Sequence, residues 1–328
     1  MSISVRLTRV RLLVLCAFFS AAQSFAGGNA GNAQANALLQ QGKVDQARVV
    51  LEQTLAGQPD DAWAHSLLCR VYYAQDMADA AVNECEKAVA YAPNDSETQL
   101  WMGRAYGMKA ERANPLVAFA LARKVHASFE RALELDPNNV HAMSDLGEFY
   151  VEAPGIVGGG MDKAQNLARR IESHFPAQSH RVLAMIAEKR NDNATAEAEF
   201  KAAAQSARTP EAYVDLGHFY QRHHQPDKAL APLQAAIDAD HSRDAALVDA
   251  ASILTAANRS PDLAENVLRE YLSSPSKSEA APAFKVHVQL GKLLASRGDA
   301  AGARREYAAA LALASNYTPA RKALQGAS

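Results

Sequence analysis

The chain lacks the sequence motifs that usually mark reaction centres and metal sites. Its 328 residues include three cysteines, two tryptophans and ten histidines. It contains neither the G-x-S-x-G motif of a serine nucleophile nor the H-E-x-x-H motif of a zinc enzyme. Its densest histidine group, His218, His223 and His224, lacks the i, i+4 spacing with which helices hold metals. We therefore predict no catalytic residue, no metal site and no cofactor.

An excess of positive charge is also missing. The chain has 34 Lys and Arg against 36 Asp and Glu, a formal net charge of −2. Binding to nucleic acid without sequence preference depends on basic contacts to phosphates. Binding to an anionic membrane surface depends on a polybasic face. The composition therefore favours neither nucleic acid nor membrane as a partner.

Long apolar runs are absent except at the N-terminus, which has the pattern of a targeting segment. Three arginines precede an apolar run over 12–22, and Ser24-Phe25-Ala26 places small residues where a signal peptidase cuts. We expect 1–26 to be a cleavable signal peptide, cut after Ala26. The polar residues 27–36 would then form a loose new terminus. The mature protein is expected to be periplasmic or secreted.

Two other interpretations of this segment are less favoured. An uncleaved membrane anchor needs about twenty apolar residues, and this run is shorter. Lipid attachment at Cys16 would require a small residue before it, where the chain has Leu15. After signal cleavage we expect no insertion into a membrane.

A recurring pattern fills most of the remaining chain. Leu146-Gly147, Leu216-Gly217 and Leu290-Gly291 are each followed, three residues after the glycine, by Tyr or Leu, and then by an alanine-rich segment. Small residues at such positions let two helix backbones approach, while the aromatic side chains fill the space to the next unit. Prolines such as Pro93 and Pro137 end the second helix of a unit. Repetition of this pattern along the chain predicts helix–turn–helix units that stack into an array.

The pattern resembles the tetratricopeptide repeat family over nearly everything after the signal segment. The resemblance implies an all-α, right-handed superhelical solenoid of about eight helix–turn–helix units. We expect a flexible N-terminus with a degenerate first repeat over 27–61, the repeat solenoid over 62–315, and a capping helix with a tail over 316–328.

Two units depart from the repeat and predict insertions. The third has extra residues near 107–120, with a break at Asn114-Pro115, and the fourth carries the glycine-rich loop 153–160. This loop resembles the A-P-G-x-x-G-G segment of a group of exported bacterial repeat proteins. Because it follows a helix and matches no phosphate-binding motif, its glycines are expected to permit positive φ in a wide turn. As a loop, it could also contact a ligand or partner.

Cys69 and Cys85 remain once the signal is removed. They lie on the two helices of one unit, at nearly the same distance from the turn between them. In an oxidising compartment such a pair tends to form a disulfide. The alternative is two buried thiols that pack as small apolar side chains.

The same resemblance implies a concave groove, lined by the first helix of each unit, that holds a peptide or partner helix. The stripes along those helices supply the candidate contact residues. They are Trp63, Arg70, Tyr73, Arg104, His141, Glu148, Arg181 and His218. Aromatic and Arg side chains together are typical of binding hot spots. Tyr73 could instead pack between units.

These observations favour a non-catalytic scaffold that binds a protein or peptide, for example as an accessory of envelope assembly or secretion. One alternative is a structural subunit that self-assembles by stacking the ends of its solenoid. The other is an enzyme accessory with a site near Gly158–Gly160. The sequence leaves the oligomeric state open.

Overall fold

The structure is a computed structural model that describes residues 30–240 and 245–326. These residues form seventeen α-helices and one short 3₁₀ helix, with no strand among them. In chain order the α-helices are α1 (30–40), α2 (Val44–Gly57), α3 (Ala62–Ala74), α4 (Ala78–Tyr91), α5 (Ser96–Ala110), α6 (Pro115–Leu135), α7 (Val140–Glu152), α8 (Met161–Ile171), α9 (Pro176–Lys189), α10 (Asn193–Ala207), α11 (Pro210–Arg222), α12 (Pro226–Ala239), α13 (Ala245–Ala256), α14 (Pro261–Ser273), α15 (Ala283–Ser296), α16 (Ala300–Leu313) and α17 (Thr318–Gly326).

The helices pair in sequence to give eight helix–turn–helix units and a last single helix, which confirms the all-α solenoid. First helices pack against the second helices of their own units, as in α3 with α4 and α15 with α16. Successive first helices also contact one another, as in α7 with α9 and α11 with α13. They form an inner layer, and the second helices form the outer layer.

Side-chain caps set several of the helix boundaries. Asp61, Asp95 and Asn139 each accept a hydrogen bond from a backbone N–H three residues later, at the N-termini of α3, α5 and α7. These bonds satisfy N–H groups that the first helical turn leaves without a partner. Each cap follows shortly after a proline that ends the preceding unit. A single short motif therefore stops one helix and starts the next.

Hydrogen bonds at recurrent positions tie the units together. Tyr106, Tyr150 and Tyr220, on first helices, donate from their hydroxyls to Glu86, Glu130 and Glu197 on the second helix of the preceding unit. Within three units a first-helix histidine contacts a second-helix glutamate, as His65 contacts Glu84 at 2.6 Å. The array is thus joined by repeated polar contacts as well as by apolar packing.

Three expectations need correction or refinement. Residues 30–36, expected to belong to a loose terminus, lie in α1, whose Ala35 and Leu39 are fully or almost fully buried. The insertion in the third unit lengthens α6 to 21 residues, and Asn114 caps it ahead of Pro115. The glycine-rich loop contains a 3₁₀ turn over Gly155–Val157. The predicted signal peptide lies outside the described residues.

Cys69 and Cys85 form a disulfide between α3 and α4, with their Cα atoms 5.2 Å apart. Both side chains are buried. Of the two alternatives open at the sequence level, the structure contains the bridge.

The array closes on itself. One core cluster combines buried residues of α1–α3 with residues from α9 to α17, whereas a second cluster occupies most of the chain between them. Direct contacts join the two ends, since α2 packs against α16 and Arg70 of α3 pairs with Glu279. We call this junction the seam. Within the described residues, no helix combines the length and apolarity of a membrane span.

Candidate partner-binding surface

The first helices line two adjacent cavities on the inner layer. The larger, of about 650 Å³, lies along α7, α9, α11 and the start of α13. The smaller, of about 520 Å³, lies along α3, α5 and α7 and is bounded by Lys285 of α15. Glu148 and Glu152 line both cavities. Because Lys285 of α15 pairs with Asp76 at the end of α3, the seam forms part of the wall.

Trp101 packs against two residues that line the smaller cavity. Its ring packs edge-on against Tyr73 at 5.4 Å, and the guanidinium of Arg104 lies 4.8 Å from its centre. Arg104 Nε also donates to Asp145 at 2.6 Å. Burial raises the pKa of Tyr73, so this hydroxyl stays protonated. Tyr73 both packs between units and lines the cavity, the two roles considered for it from the sequence.

Arg181 connects three of the helices that line the larger cavity. Its guanidinium donates to Asp215 at 3.0 Å and to Glu148 at 3.3 Å, so it joins α7, α9 and α11. Its side chain is 24% exposed, and the Nη1 atom is buried without a hydrogen-bond partner. A cation held between two carboxylates has little capacity for a further anion. Arg181 therefore shapes this cavity more than it offers positive charge.

Two further ion pairs bridge successive first helices. Lys189 contacts Glu152 at 2.5 Å, and Arg222 contacts Glu188 at 2.8 Å. Burial alone would raise the pKa of Glu188, but hydrogen bonds from Arg222 and His223 outweigh it and lower the pKa. Glu188 is thus ionised at neutral pH.

Carboxylates outnumber cations around the larger cavity. Its acidic residues are Glu148, Glu152, Glu188, Glu211, Asp215 and Asp249, and its basic residues are Arg181, Lys189 and Arg222. All three basic residues are already in ion pairs with these carboxylates. The cavity therefore has a negative excess, and Met185, Phe200 and Val214 add apolar wall.

The structure brings together five of the eight residues selected from the sequence and separates three. Tyr73 and Arg104 line the smaller cavity, Arg181 and His218 the larger, and Glu148 both. The other three lie elsewhere. Arg70 is in the seam, while Trp63 and His141 are exposed at the N-terminal ends of α3 and α7, outside both cavities.

Sequence reasoning missed most of the acidic wall, although its signal was present. Glu211, Asp215, His218 and Arg222 follow the i, i+4, i+7, i+11 spacing of one helix face. Glu148 and Glu152 are likewise four residues apart. Extending each predicted stripe by one or two helical turns would have found them.

The loop 153–160 has a structural explanation. Gly158 and Gly160 have φ of +109° and +146°, which confirms the predicted positive φ. A Cβ on Gly158 would lie 2.5 Å from Nδ1 of His126, a ring stacked on Phe149. Burial lowers the pKa of His126, which keeps this ring neutral. Across the described residues, no group of three or more His, Cys, Asp and Glu side chains could hold a metal ion.

Comparisons with known proteins agree with the geometry. Residues 38–106 match the family model described as Tetratricopeptide repeat. Yeast Tom70 is 18% identical with a TM-score of 0.51, and the match covers 87% of this chain and 58% of Tom70. The chain thus spans somewhat over half of that protein's length. A comparison with curated proteins finds no match.

Two bacterial structures are similar over nearly their whole lengths. A thermophilic tetratricopeptide repeat protein of Thermus thermophilus is 19% identical, with a TM-score of 0.47, covering 70% of this chain and 99% of its own. A tetratricopeptide repeat protein of Parabacteroides merdae is 12% identical, with a TM-score of 0.46, covering 92% and 99%. At these identities the likeness concerns the fold alone.

Proposed function

We propose that the protein is a non-catalytic scaffold that binds a polypeptide segment on its inner layer. The observation that carries this proposal is the larger cavity, where adjacent first helices present six carboxylates and three basic residues around about 650 Å³. The cavity is large enough for several side chains, and its lining combines apolar and charged residues. Protein or peptide binding is also the use that the repeat architecture favours.

The charge balance indicates the chemistry of the partner. The three basic side chains that line the larger cavity are all paired within the protein, and even without Asp249 five lining carboxylates outnumber them, so the net field is negative. A segment with Lys or Arg side chains would find complementary charge there, whereas an acidic segment would be repelled. We therefore propose a basic segment as the occupant.

We further propose that the protein works outside the cytoplasm, as an accessory of envelope assembly or secretion. The N-terminal pattern over 1–26 and the Cys69–Cys85 disulfide both support export, because disulfides persist in oxidising compartments. The seam engages both ends of the array. It therefore leaves little surface for end-to-end stacking, so we propose that the protein acts without self-assembly through its ends.

Binding of matched peptides tests the proposal. Fluorescence anisotropy would compare a lysine-rich peptide with a glutamate-rich peptide of the same length. We expect the lysine peptide alone to bind, with an affinity that falls as salt increases. Glu152→Gln with Glu211→Gln should weaken it by roughly five- to tenfold, since each exposed charge contact contributes up to about 1 kcal/mol.

The control removes two carboxylates from outer helices. Glu134, in a surface ion pair on α6, and Asp238, exposed on α12, lie outside both inner cavities. Glu134→Gln with Asp238→Asn should leave peptide binding unchanged. Equal binding of the two peptides, or equal weakening by the control, would contradict the proposal.

A further inference from the structure

The connection between α14 and α15 crosses the seam. It comprises residues 274–282, nine residues, whereas the connection 92–95 between α4 and α5 has four. Buried Tyr271 of α14 holds this connection in place. Its hydroxyl donates to the carbonyl of Ala281 at 2.6 Å and accepts from the N–H of Ser278 at 3.0 Å. We call residues 274–282 the strap.

Glu279 is the residue through which the strap reaches the other side of the seam. Its carboxylate forms a bidentate contact with Arg70 of α3, including bonds of 3.0 Å from Nε to each carboxylate oxygen. The Glu279 backbone N–H also donates to Gln40 Oε1 at 3.2 Å. The Arg70 and Glu279 side chains are 14% and 10% exposed, so water screens this pair poorly.

Further polar contacts accompany this pair along the seam. Lys285 Nζ lies 2.9 Å from Asp76 Oδ1, and the Ser315 N–H donates to Asp45 at 2.7 Å. The backbones also approach closely, since a Cβ on Gly42 would lie 2.5 Å from the N atom of Ala283. Apart from the chain itself, no covalent bond among the described residues links the two sides.

Like charges also meet at the seam. Burial and the nearby Lys43 of the α1–α2 turn lower the pKa of Lys277 in the strap. Arg70 lies 5.2 Å from the centre of the Trp101 ring, over which Arg104 also lies. Without Glu279, two guanidinium groups would share one ring while only Arg104 kept a carboxylate, Asp145. Glu279 therefore supplies the carboxylate that neutralises Arg70 at the seam.

We propose that the strap is a latch: Glu279 holds the array closed on Arg70, and release of this contact opens the seam and exposes the inner layer to a folded partner. The role in partner access rests on the function proposed above; the opening itself does not. While the array is closed, we expect a free chain end to reach the inner layer. A segment flanked by folded domains has no free end to thread, so it needs an open seam.

Zero-length carbodiimide cross-linking tests the opening directly, because it joins amines to carboxylates in contact. In the wild-type protein we expect Lys285–Asp76 cross-links across the seam and Lys189–Glu152 cross-links between neighbouring units. Glu279→Arg and Arg70→Glu should each abolish the first and retain the second. The pair-distance distribution from small-angle X-ray scattering should widen in both variants. The charge swap, Arg70→Glu with Glu279→Arg, should restore the closed state.

Two further variants sharpen the result. Arg222→Glu breaks a comparable pair between neighbouring units and should leave the seam cross-link intact. Tyr271→Phe keeps every seam charge but removes the hydroxyl that positions the strap, and it should lower the seam cross-link yield. A seam cross-link that persists in both single variants overturns the proposal. So does loss of helical circular dichroism in them, because closure would then be inseparable from folding.

Access is measured with two probes that carry the same lysine-rich segment. One is the free peptide, and the other displays the segment between two folded carrier domains. Glu279→Arg should speed association of the flanked probe and leave the free peptide unchanged. Equal rates for the flanked probe in the closed and open proteins overturn the gating role. Failure of both probes to bind any variant contradicts the proposed function instead, and leaves the cross-linking result in place.

Discussion

At the scale of single residues, the glycines of the first helices are sites of close contact. A Cβ on Gly103 would lie 2.4 Å from the Phe129 ring, and one on Gly291 would lie 2.4 Å from the Tyr307 ring. In both cases the aromatic side chain belongs to the second helix of the same unit. Glycine is therefore needed at these two positions for the approach of a ring rather than for backbone freedom.

Gly103→Ala should accordingly destabilise the protein although alanine favours helices. The methyl group would displace a buried phenylalanine ring, and overpacking of this kind costs about 1–3 kcal/mol. The gain in helix propensity offsets at most about 1 kcal/mol of it. Urea denaturation followed by circular dichroism would measure the change in the midpoint.

Gly57→Ala is the matched control for this substitution. Gly57 is also helical, but a Cβ there would meet no atom within 4 Å. We expect this variant to be unchanged or more stable by up to about 1 kcal/mol. If both alanine variants shift the midpoint in the same direction, crowding at Gly103 is not the deciding effect.

At the scale of elements, the disulfide makes the α3–α4 unit different from the other seven. It closes a loop with a sequence separation of 16, within the part of the array that meets the seam. A crosslink over a loop of this length restricts the unfolded chain by about 3 kcal/mol. The second unit should therefore be more resistant to local unfolding than its composition alone would make it.

Reduction of the protein tests this contribution. Reductant should lower the free energy of unfolding of the wild-type protein by about 2–4 kcal/mol. It should have no effect on Cys69→Ala with Cys85→Ala, which has no bridge to lose. Intact-mass measurement before and after alkylation would show the state of the two thiols. An unfolding midpoint that is the same with and without reductant would show that the bridge contributes nothing.

The sequence predicted single helices better than it predicted contacts between residues far apart in the chain. Caps at Asp61, Asp95 and Asn139 and the break at Asn114-Pro115 were predictable because each is a local signal within four residues. The helical start at residue 30 was not, because the segment from 27 to 36 is polar and glycine-containing. Buried Asn32 stabilises that helix by donating to Asp61, a contact 29 residues away that local pattern does not contain.

In the candidate site, too, local features were predictable and long-range contacts were not. Tyr73, Arg104, Glu148, Arg181 and His218 were predicted to share one surface because the period of the repeat places them there, and they line the two cavities. Arg70 followed the same pattern, yet its partner is Glu279, 209 residues away. No periodicity in the first units reveals that a residue of the strap will arrive beside it.

At the scale of the whole molecule, closure gives the terminal units neighbours on both sides. In an open array each end unit has one neighbour, and it therefore unfolds locally before the middle. Here α2 packs against α16, and the core of α1–α3 is continuous with that of the last units. Whether two ends meet depends on the sum of small rotations between eight units. Such a sum is sensitive to the geometry of every interface between units. The repeat pattern therefore predicts the units but not the closure of the array.

Hydrogen exchange at backbone amides distinguishes a ring from an open array. We expect amides of α1–α2 and α16 to be protected to about the same degree as those of α9 and α10, because each end has neighbours on both sides. In Glu279→Arg, protection should fall in α1–α2 and α15–α17 and stay unchanged in α9 and α10. In Arg222→Glu, the ends should keep their protection. If the ends of the wild-type protein exchange much faster than the middle units, the array is open in solution.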